Sequence, residues 1–174
     1  MERLKWSLGF SQGVAVDCKG KSGGLALWWR DHVEVTVRPW CQYYTDAAIV
    51  CDGASFRFTG IYGEPRTEHR LKTWDALRYL RRQDNLPWLC AGDFNEILLG
   101  REKEGGALRS QRNMQNFRDA LDDCNLFDMG YVGDIFTWRR GRIRERLDRA
   151  VCDQRWDNLF PLAGVIHGDF SKSD

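Results

Sequence analysis

Pairs of short apolar runs joined by tight turns alternate along this chain with two stretches of helical period, and few folds accommodate that order. Residues 13–18 and 24–30 flank a Gly20-Lys21-Ser22-Gly23 turn and read as a hairpin. Val33, Val35 and Val37 alternate with polar residues, as on a half-buried strand. Runs at 47–52 and 55–62 enclose Asp52-Gly53, which supplies the tight turn of a two-residue hairpin. The period then changes. Between residues 67 and 82, Leu71, Trp74, Leu77 and Leu80 recur every three residues with Arg and Asp opposite, which predicts a helix. Ser110 is a good N-cap for a second helix whose face carries Met114, Phe117, Leu121 and Cys124. Between these helices, residues 87–91 form a continuous apolar run before Gly92, typical of a buried strand. Strand patterns return after residue 130: Phe136-Thr137-Trp138 and residues 143–151 flank a turn at Gly141, and a short helix near 153–159 ends at Pro161. Strand pairs interleaved with helices predict an α/β sandwich rather than a doubly wound parallel sheet.

With 174 residues and no linker or low-complexity tract, a single domain spanning 1–174 is expected. A chain of this length buries roughly 70% of the surface it exposes when unfolded. Eight tryptophans and nine phenylalanines predict a bulky aromatic interior. The net charge of +1 excludes a uniformly basic nucleic-acid binder, so any basic surface is local. Residues 1–5 contain no apolar signal core, and no run approaches the ~20 apolar residues of a membrane span. Cys18, Cys41, Cys51, Cys90, Cys124 and Cys152 form no CxxC pair and have no histidine at zinc-ligand spacing. Buried free thiols in a reducing, intracellular compartment are the expectation.

The sharpest chemical feature is Gly92-Asp93-Phe94-Asn95, directly after the buried run. A carboxylate and a carboxamide two residues apart at the end of a core strand can converge on one point of a cleft. The Asp can take a proton from water or help hold a cation, and the Asn can donate to a phosphate oxygen. Alone the tetrapeptide is weak, because Asp and Asn after Gly are ordinary turn formers, and a second Gly-Asp-Phe at 168–170 lacks the Asn. Its surroundings make it specific. Glu96-Ile97-Leu98 and Glu102-Lys103-Glu104-Gly105-Gly106 follow it. Ser22-Gly23-Gly24-Leu25-Ala26-Leu27-Trp28 and Thr59-Gly60-Ile61-Tyr62-Gly63 precede it. Phe136-Thr137-Trp138, Glu145-Arg146-Leu147-Asp148-Arg149-Ala150 and Ser173-Asp174 come later. This ordered series, from about Gly9 to the last residue, resembles the endonuclease domain of plant LINE-type (non-LTR) retrotransposons, within the endonuclease/exonuclease/phosphatase superfamily.

The resemblance implies a deoxyribonuclease-like four-layer α/β sandwich, two packed and mostly antiparallel sheets flanked by helices. It implies Mg²⁺-dependent (or Mn²⁺-dependent) phosphodiester hydrolysis of DNA by in-line attack of water, in a monomer working in the nucleus. Asp93 would orient or deprotonate the water, Asn95 would steady the nucleophile and a phosphate oxygen, and Tyr62 would touch the scissile phosphate. Asp148 would orient a catalytic histidine, and Asp174 would be the Asp of the closing Ser-Asp-His motif, near a metal that Asp93 also approaches. The histidine of that motif does not follow Asp174, and the family's opening Asn strand and metal-binding Glu fall upstream of Met1. On this reading the domain lacks its first strand or strands and its C-terminal end, and its activity is impaired. His32, His69 and His167 are expected to be structural, and Glu2 stands in helix-like sequence. Arg139, Arg140, Arg142, Arg144, Arg146 and Arg149 crowd the segment around Asp148. Alternate strand positions share a face, so Arg140, Arg142, Arg144 and Arg146 form a candidate phosphate-gripping stripe. Trp28, Trp29 and Trp138 look core-like. The competing readings are a folded non-catalytic relic with weak nucleic-acid affinity and a small-substrate phosphatase of the same fold.

Overall fold

A computed structural model describes residues 2–16 and 24–168. A short helix, α1 (Glu2–Ser7), precedes β1 (Gln12–Val16), which pairs antiparallel with β2 (Leu25–Trp29). The turn expected at 20–23 lies outside the described residues, as does Cys18. Next come β3 (Glu34–Val37), β4 (Tyr44–Cys51) and β5 (Ala54–Tyr62). Asp52 and Gly53 both have positive φ, 51° and 78°, as the twist of a two-residue hairpin requires. A 3₁₀ turn at Thr67–His69 leads into α2 (Leu71–Arg81), so the helix proper starts at Leu71, the first residue of its apolar period, rather than at the expected bound of 67. The buried run becomes β6 (Trp88–Asp93). A second 3₁₀ turn (Gly100–Glu102) and a two-residue β7 (Lys103–Glu104) lead to α3 (Gln111–Asp123). Ser110 occupies the N-cap in extended conformation, though its hydroxyl makes no capping bond. The remaining elements are β8 (Phe127–Asp128), β9 (Trp138–Arg140), β10 (Ile143–Glu145), β11 (Asp148–Cys152) and α4 (Gln154–Leu159). Asp153 caps α4 by accepting from Trp156 N at 2.9 Å.

Six strands form the central sheet in the order β3-β4-β5-β6-β11-β8, antiparallel except for β5 and β6. A parallel pair needs a crossover, and α2 supplies it. On one face, α2 and α3 pack together over the sheet: Trp74 stacks on Phe117 at 4.3 Å between centroids, and Leu77, Leu80, Ala120 and Leu121 join Trp88, Cys90 and Val151 in one buried cluster. On the other face, β1 and β2 lie over β4 and β5, with Leu27 and Trp28 opposite Phe58, Gly60 and Ala91. Trp156 of α4 and Phe160, which directly follows that helix, close on Phe56 there. The fold is therefore α/β, sheets flanked by helices, as expected. The segment expected as one strand over 143–151 is two: β10 joins a small sheet, β7-β10-β9, and β11 joins the large one. The chain changes sheets at Arg146 and Leu147, and the site is built around this transfer.

Candidate active site

Three strands of the central sheet bring their polar ends to the same level. Tyr62 is the direct partner of Asp93 across β5 and β6, and Asp93 is the direct partner of Asp148 across β6 and β11. Opposed residues in neighbouring strands lie roughly 4.5–5.5 Å apart at Cα and leave the sheet on one face. Tyr62, Asp93 and Asp148 thus form a row. Gly92 lets the strands close here: its φ is 140°, and a Cβ would fall 2.1 Å from Ile61 O.

Asn95 is tied into the same row. It adopts a left-handed φ of 55°, which Asn tolerates better than most residues. Its backbone N–H donates to Asp93 Oδ1 at 2.7 Å, and its Nδ2 donates to Gly63 O at 2.8 Å. Gly63 N donates back to Asp93 O at 2.7 Å. A Cβ on Gly63 would lie 2.5 Å from Phe94 O, so the turns after β5 and β6 meet backbone to backbone.

Burial pushes the Asp93 carboxyl up to about 6; the Asn95 N–H works against this, the neighbouring Asp148 charge adds to it, and the Arg70 and Arg109 guanidiniums pull it back. Asp148 is exposed. Its backbone is pinned by Thr137, whose Oγ1 accepts from Leu147 N at 3.0 Å and Asp148 N at 2.9 Å. Leu147 O in turn accepts from Phe94 N at 2.9 Å, which bonds the chain before Asp148 directly to the turn after Asp93.

Asp174 lies outside the described residues, and so does the Glu2 side chain. His32 is exposed in a turn and His69 ends a 3₁₀ helix. His167 stacks on Tyr131 at 4.7 Å and has Nδ1 2.6 Å from Asp134 O. Among the described residues, no group of three or more His, Cys, Asp or Glu side chains gathers as a metal site. The Asp93–Asp148 neighbours fit a more modest demand. They are two like charges side by side, one already resisting ionisation, and Mg²⁺ is commonly held by one or two carboxylates while keeping several waters.

The arginine stripe is corrected in two respects. Arg146 is 4% exposed and lies inside the protein: it donates to Glu102 at 3.0 Å and to Asp128 at 2.8 Å, with its guanidinium 4.5 Å from the Tyr131 ring centre. Arg149, 3% exposed, meets the same two carboxylates, at 3.0 and 2.5 Å. Glu102 also accepts from Leu98 N at 2.7 Å, and the arginines hold both acids below the usual carboxylate range against the opposing effect of burial. These arginines answer buried acids because an unpaired buried charge is costly. The second correction is one of facing. Arg140 pairs with Ile143, and Arg144 with Arg139, across a turn at Gly141 and Arg142. Alternation does not carry across a two-residue reversal, so Arg140 and Arg144 point to opposite faces. Arg144 engages Glu104 and lies over Phe136. Trp138, expected in the core, is 36% exposed, because β9 is the outer strand of the small sheet.

Sequence reasoning gave no role to Thr137, Glu102, Asp128, Arg70 and Glu96. Thr137, Glu102 and Glu96 stand within the motifs that carry the resemblance, but their partners Leu147, Arg149 and Arg70 lie far along the chain, as do the partners of Asp128.

The endonuclease/exonuclease/phosphatase family model matches residues 3–174. No curated protein matches the chain. Among solved structures, the endonuclease domain of TRAS1, a telomere-specific non-LTR retrotransposon, superposes with a TM-score of 0.62 at 16% identity, covering 85% of this chain and 69% of that one. An endonuclease/exonuclease/phosphatase family protein from Bacteroides thetaiotaomicron gives 0.58 at 16% identity, covering 87% and 63%. The human Nocturnin catalytic domain gives 0.56 at 16% identity, covering 88% and 64%. The chain thus spans about two thirds of the length of these three structures. By the match along nearly its whole length, the chain belongs to the endonuclease/exonuclease/phosphatase family.

Proposed function

We propose that this chain is the catalytic part of a divalent-metal-dependent phosphodiesterase whose substrate is duplex DNA, cut internally, as a retrotransposon endonuclease would. The observation that carries this reading is the row of Tyr62, Asp93 and Asp148 at one register level, with Asn95 locked beside it. Asp93 serves as the base: a carboxyl whose pKa is about 6 is ionised at neutral pH yet basic enough to accept a proton from an attacking water. Asn95 donates through Nδ2 to hold the nucleophile or a phosphate oxygen once substrate displaces part of its bond to Gly63. Tyr62 offers its hydroxyl to the scissile phosphate. Asp148, exposed and one strand over, orients a histidine or steadies a hydrated cation beside Asp93. A bound Mg²⁺, with Mn²⁺ as a substitute, would supply charge neutralisation at the phosphate and an acidified water.

Duplex recognition falls to the β9–β10 hairpin. Arg139, Arg140 and Arg142 are exposed there, without an ion-pair partner among the described residues. The protein acts as a monomer on nuclear DNA, and no helix among the described residues is long and apolar enough to cross a membrane. Turnover by the 174 residues alone is expected to be slow, because neither the glutamate nor the histidine that the resemblance calls for is matched by a residue of this sequence. Supercoiled-plasmid nicking provides the test. Nicking that requires Mg²⁺ or Mn²⁺, stops with EDTA and disappears in Asp93→Ala supports the reading. Nicking that survives Asp93→Ala, or hydrolysis confined to small phosphomonoesters, refutes it.

A further inference from the structure

We infer that Arg70 is a positioning residue that straps the turn after β5 to the turn after β6, and so holds Tyr62, Asp93 and Asn95 in one arrangement. Arg70 stands at the start of α2 and is 4% exposed. Its guanidinium reaches three acceptors on two segments: Nε donates to Glu64 O at 3.3 Å, Nη2 to Pro65 O at 2.9 Å, and Nη1 to Glu96 Oε2 at 2.6 Å. Glu64 and Pro65 belong to the turn that follows Tyr62, and Glu96 directly follows Asn95. Glu96 is fully buried, and its other oxygen accepts from Ile97 N at 3.0 Å. Each acceptor is met by a different nitrogen of the rigid, planar guanidinium, whereas the three N–H donors of a lysine all leave one nitrogen on a flexible stem.

The strap has consequence because the two turns have no slack. Gly63 and Phe94 touch without room for a Cβ, and Asn95 holds Gly63 O from a left-handed conformation. A shift of either turn therefore moves Asn95 relative to Tyr62 and Asp93. Stability alone is a poor account of a fully desolvated Arg–Glu pair, since apolar replacements of such pairs are often neutral or stabilising. Arg70 makes no hydrogen bond to the proposed reacting groups. It positions them through backbone carbonyls and through Glu96, and its charge also lowers the Asp93 carboxyl, an effect that Arg70→Lys keeps.

The role in catalysis rests on the hydrolytic reading above; the strap itself does not, and the experiment separates them. Backbone amide exchange is measured by NMR on the 174-residue chain as wild type, Arg70→Lys and Glu96→Gln. Arg70→Lys keeps a positive charge against Glu96 but loses the fork. The Gly63 and Asn95 amides should then exchange about tenfold faster or more, as local openings do, while the β4–β5 hairpin amides keep their wild-type rates. Glu96→Gln, which keeps the shape and an acceptor, should accelerate the same two amides less, and it decides the matter if Arg70→Lys does not fold. Millimolar guanidinium added to Arg70→Ala should restore protection at Gly63 and Asn95. In nicking assays, kcat should fall by about 10²-fold in Arg70→Lys with KM for DNA little changed, the pattern of misplaced catalytic groups. Unchanged exchange at Gly63 and Asn95, or equal acceleration across the whole sheet, overturns the strap. A wild-type chain that nicks under no divalent cation sinks the hydrolytic reading instead and leaves the exchange result to judge the strap.

Discussion

Asp93 is the residue at which electrostatic cost is concentrated. Its carboxyl is raised from 3.8 to about 6 in the folded protein. A raised acid means the native state binds more protons than the unfolded chain between those values, so stability falls as pH rises from about 4 to about 6. Above that window the group destabilises by an upper figure of roughly 3 kcal/mol, since each pKa unit is worth about 1.4 kcal/mol. Asp93→Asn, which preserves an acceptor for Asn95 N–H, is therefore expected to raise urea-unfolding stability at pH 7 by about 2 kcal/mol. The gain should vanish by pH 4. A gain that persists there would locate the effect elsewhere. Asp148→Asn removes a like charge and should move the Asp93 midpoint to lower pH. The acid limb of the nicking profile, compared at one fixed Mg²⁺ concentration, should move the same way. An unmoved limb would deny Asp93 the role of base.

At the scale of elements, the β9–β10 hairpin and the α2–α3 pair illustrate two kinds of surface. The hairpin exposes Arg140 and Arg142 at its tip, while Arg144 is engaged by Glu104 and Arg146 is buried. Each phosphate neutralised on a duplex releases counterions, so the salt dependence reports how many phosphates are held. Arg140→Ala with Arg142→Ala should flatten the log Kd against log salt slope by about two units at most. The same slope in wild type and variant would show that the hairpin does not grip phosphates. Arg146→Ala would not report on binding at all, because it leaves Glu102 and Asp128 to share Arg149 inside the protein. Across the helix pair, Phe117 stacks on both Trp74 and Phe94, with the latter centroids 5.3 Å apart. Phe117→Ala should cost about 3–5 kcal/mol in urea unfolding, because it takes a ring out of the apolar interior and leaves a cavity that the neighbours fill only in part. It should also loosen the turn that carries Asn95.

Over the whole molecule, the ionic cluster of Glu102, Asp128, Arg146 and Arg149 joins parts of the chain that no single element connects. Glu102 lies in the 3₁₀ turn before β7, Asp128 in β8, Arg146 where the chain changes sheets, and Arg149 in β11. Two acids facing two arginines leave the cluster neutral, as burial demands. Glu102→Gln should cost about 3 kcal/mol or more in urea unfolding, because two buried arginines would share one remaining carboxylate. A cost under about 1 kcal/mol would mean that water reaches the cluster and screens it. The same cluster sets the path from the small sheet to the large one, and with it the level at which Asp148 arrives beside Asp93.

Much of the fold was legible in the sequence, since its determinants are local. The two-residue turn at Asp52-Gly53, the period of Leu71, Trp74, Leu77 and Leu80, the run ending at Gly92 and the α3 face are each written in spacings of two to four residues. Asp93, Asn95, Tyr62 and Asp148 could be singled out from the motifs around them. That Tyr62, Asp93 and Asp148 share one level is a matter of strand order and register, to which spacing along the chain is blind. The same blindness explains Arg146. Its neighbours in sequence are those of an exposed hairpin, while its acid partners stand 44 and 18 residues away. Arg70 and Glu96, 26 residues apart, become partners only when a parallel crossover returns the chain beside its earlier turn. Side-chain periodicity specifies what each segment can form, but burial of charge depends on what the rest of the chain brings against it, and only the tertiary structure decides that.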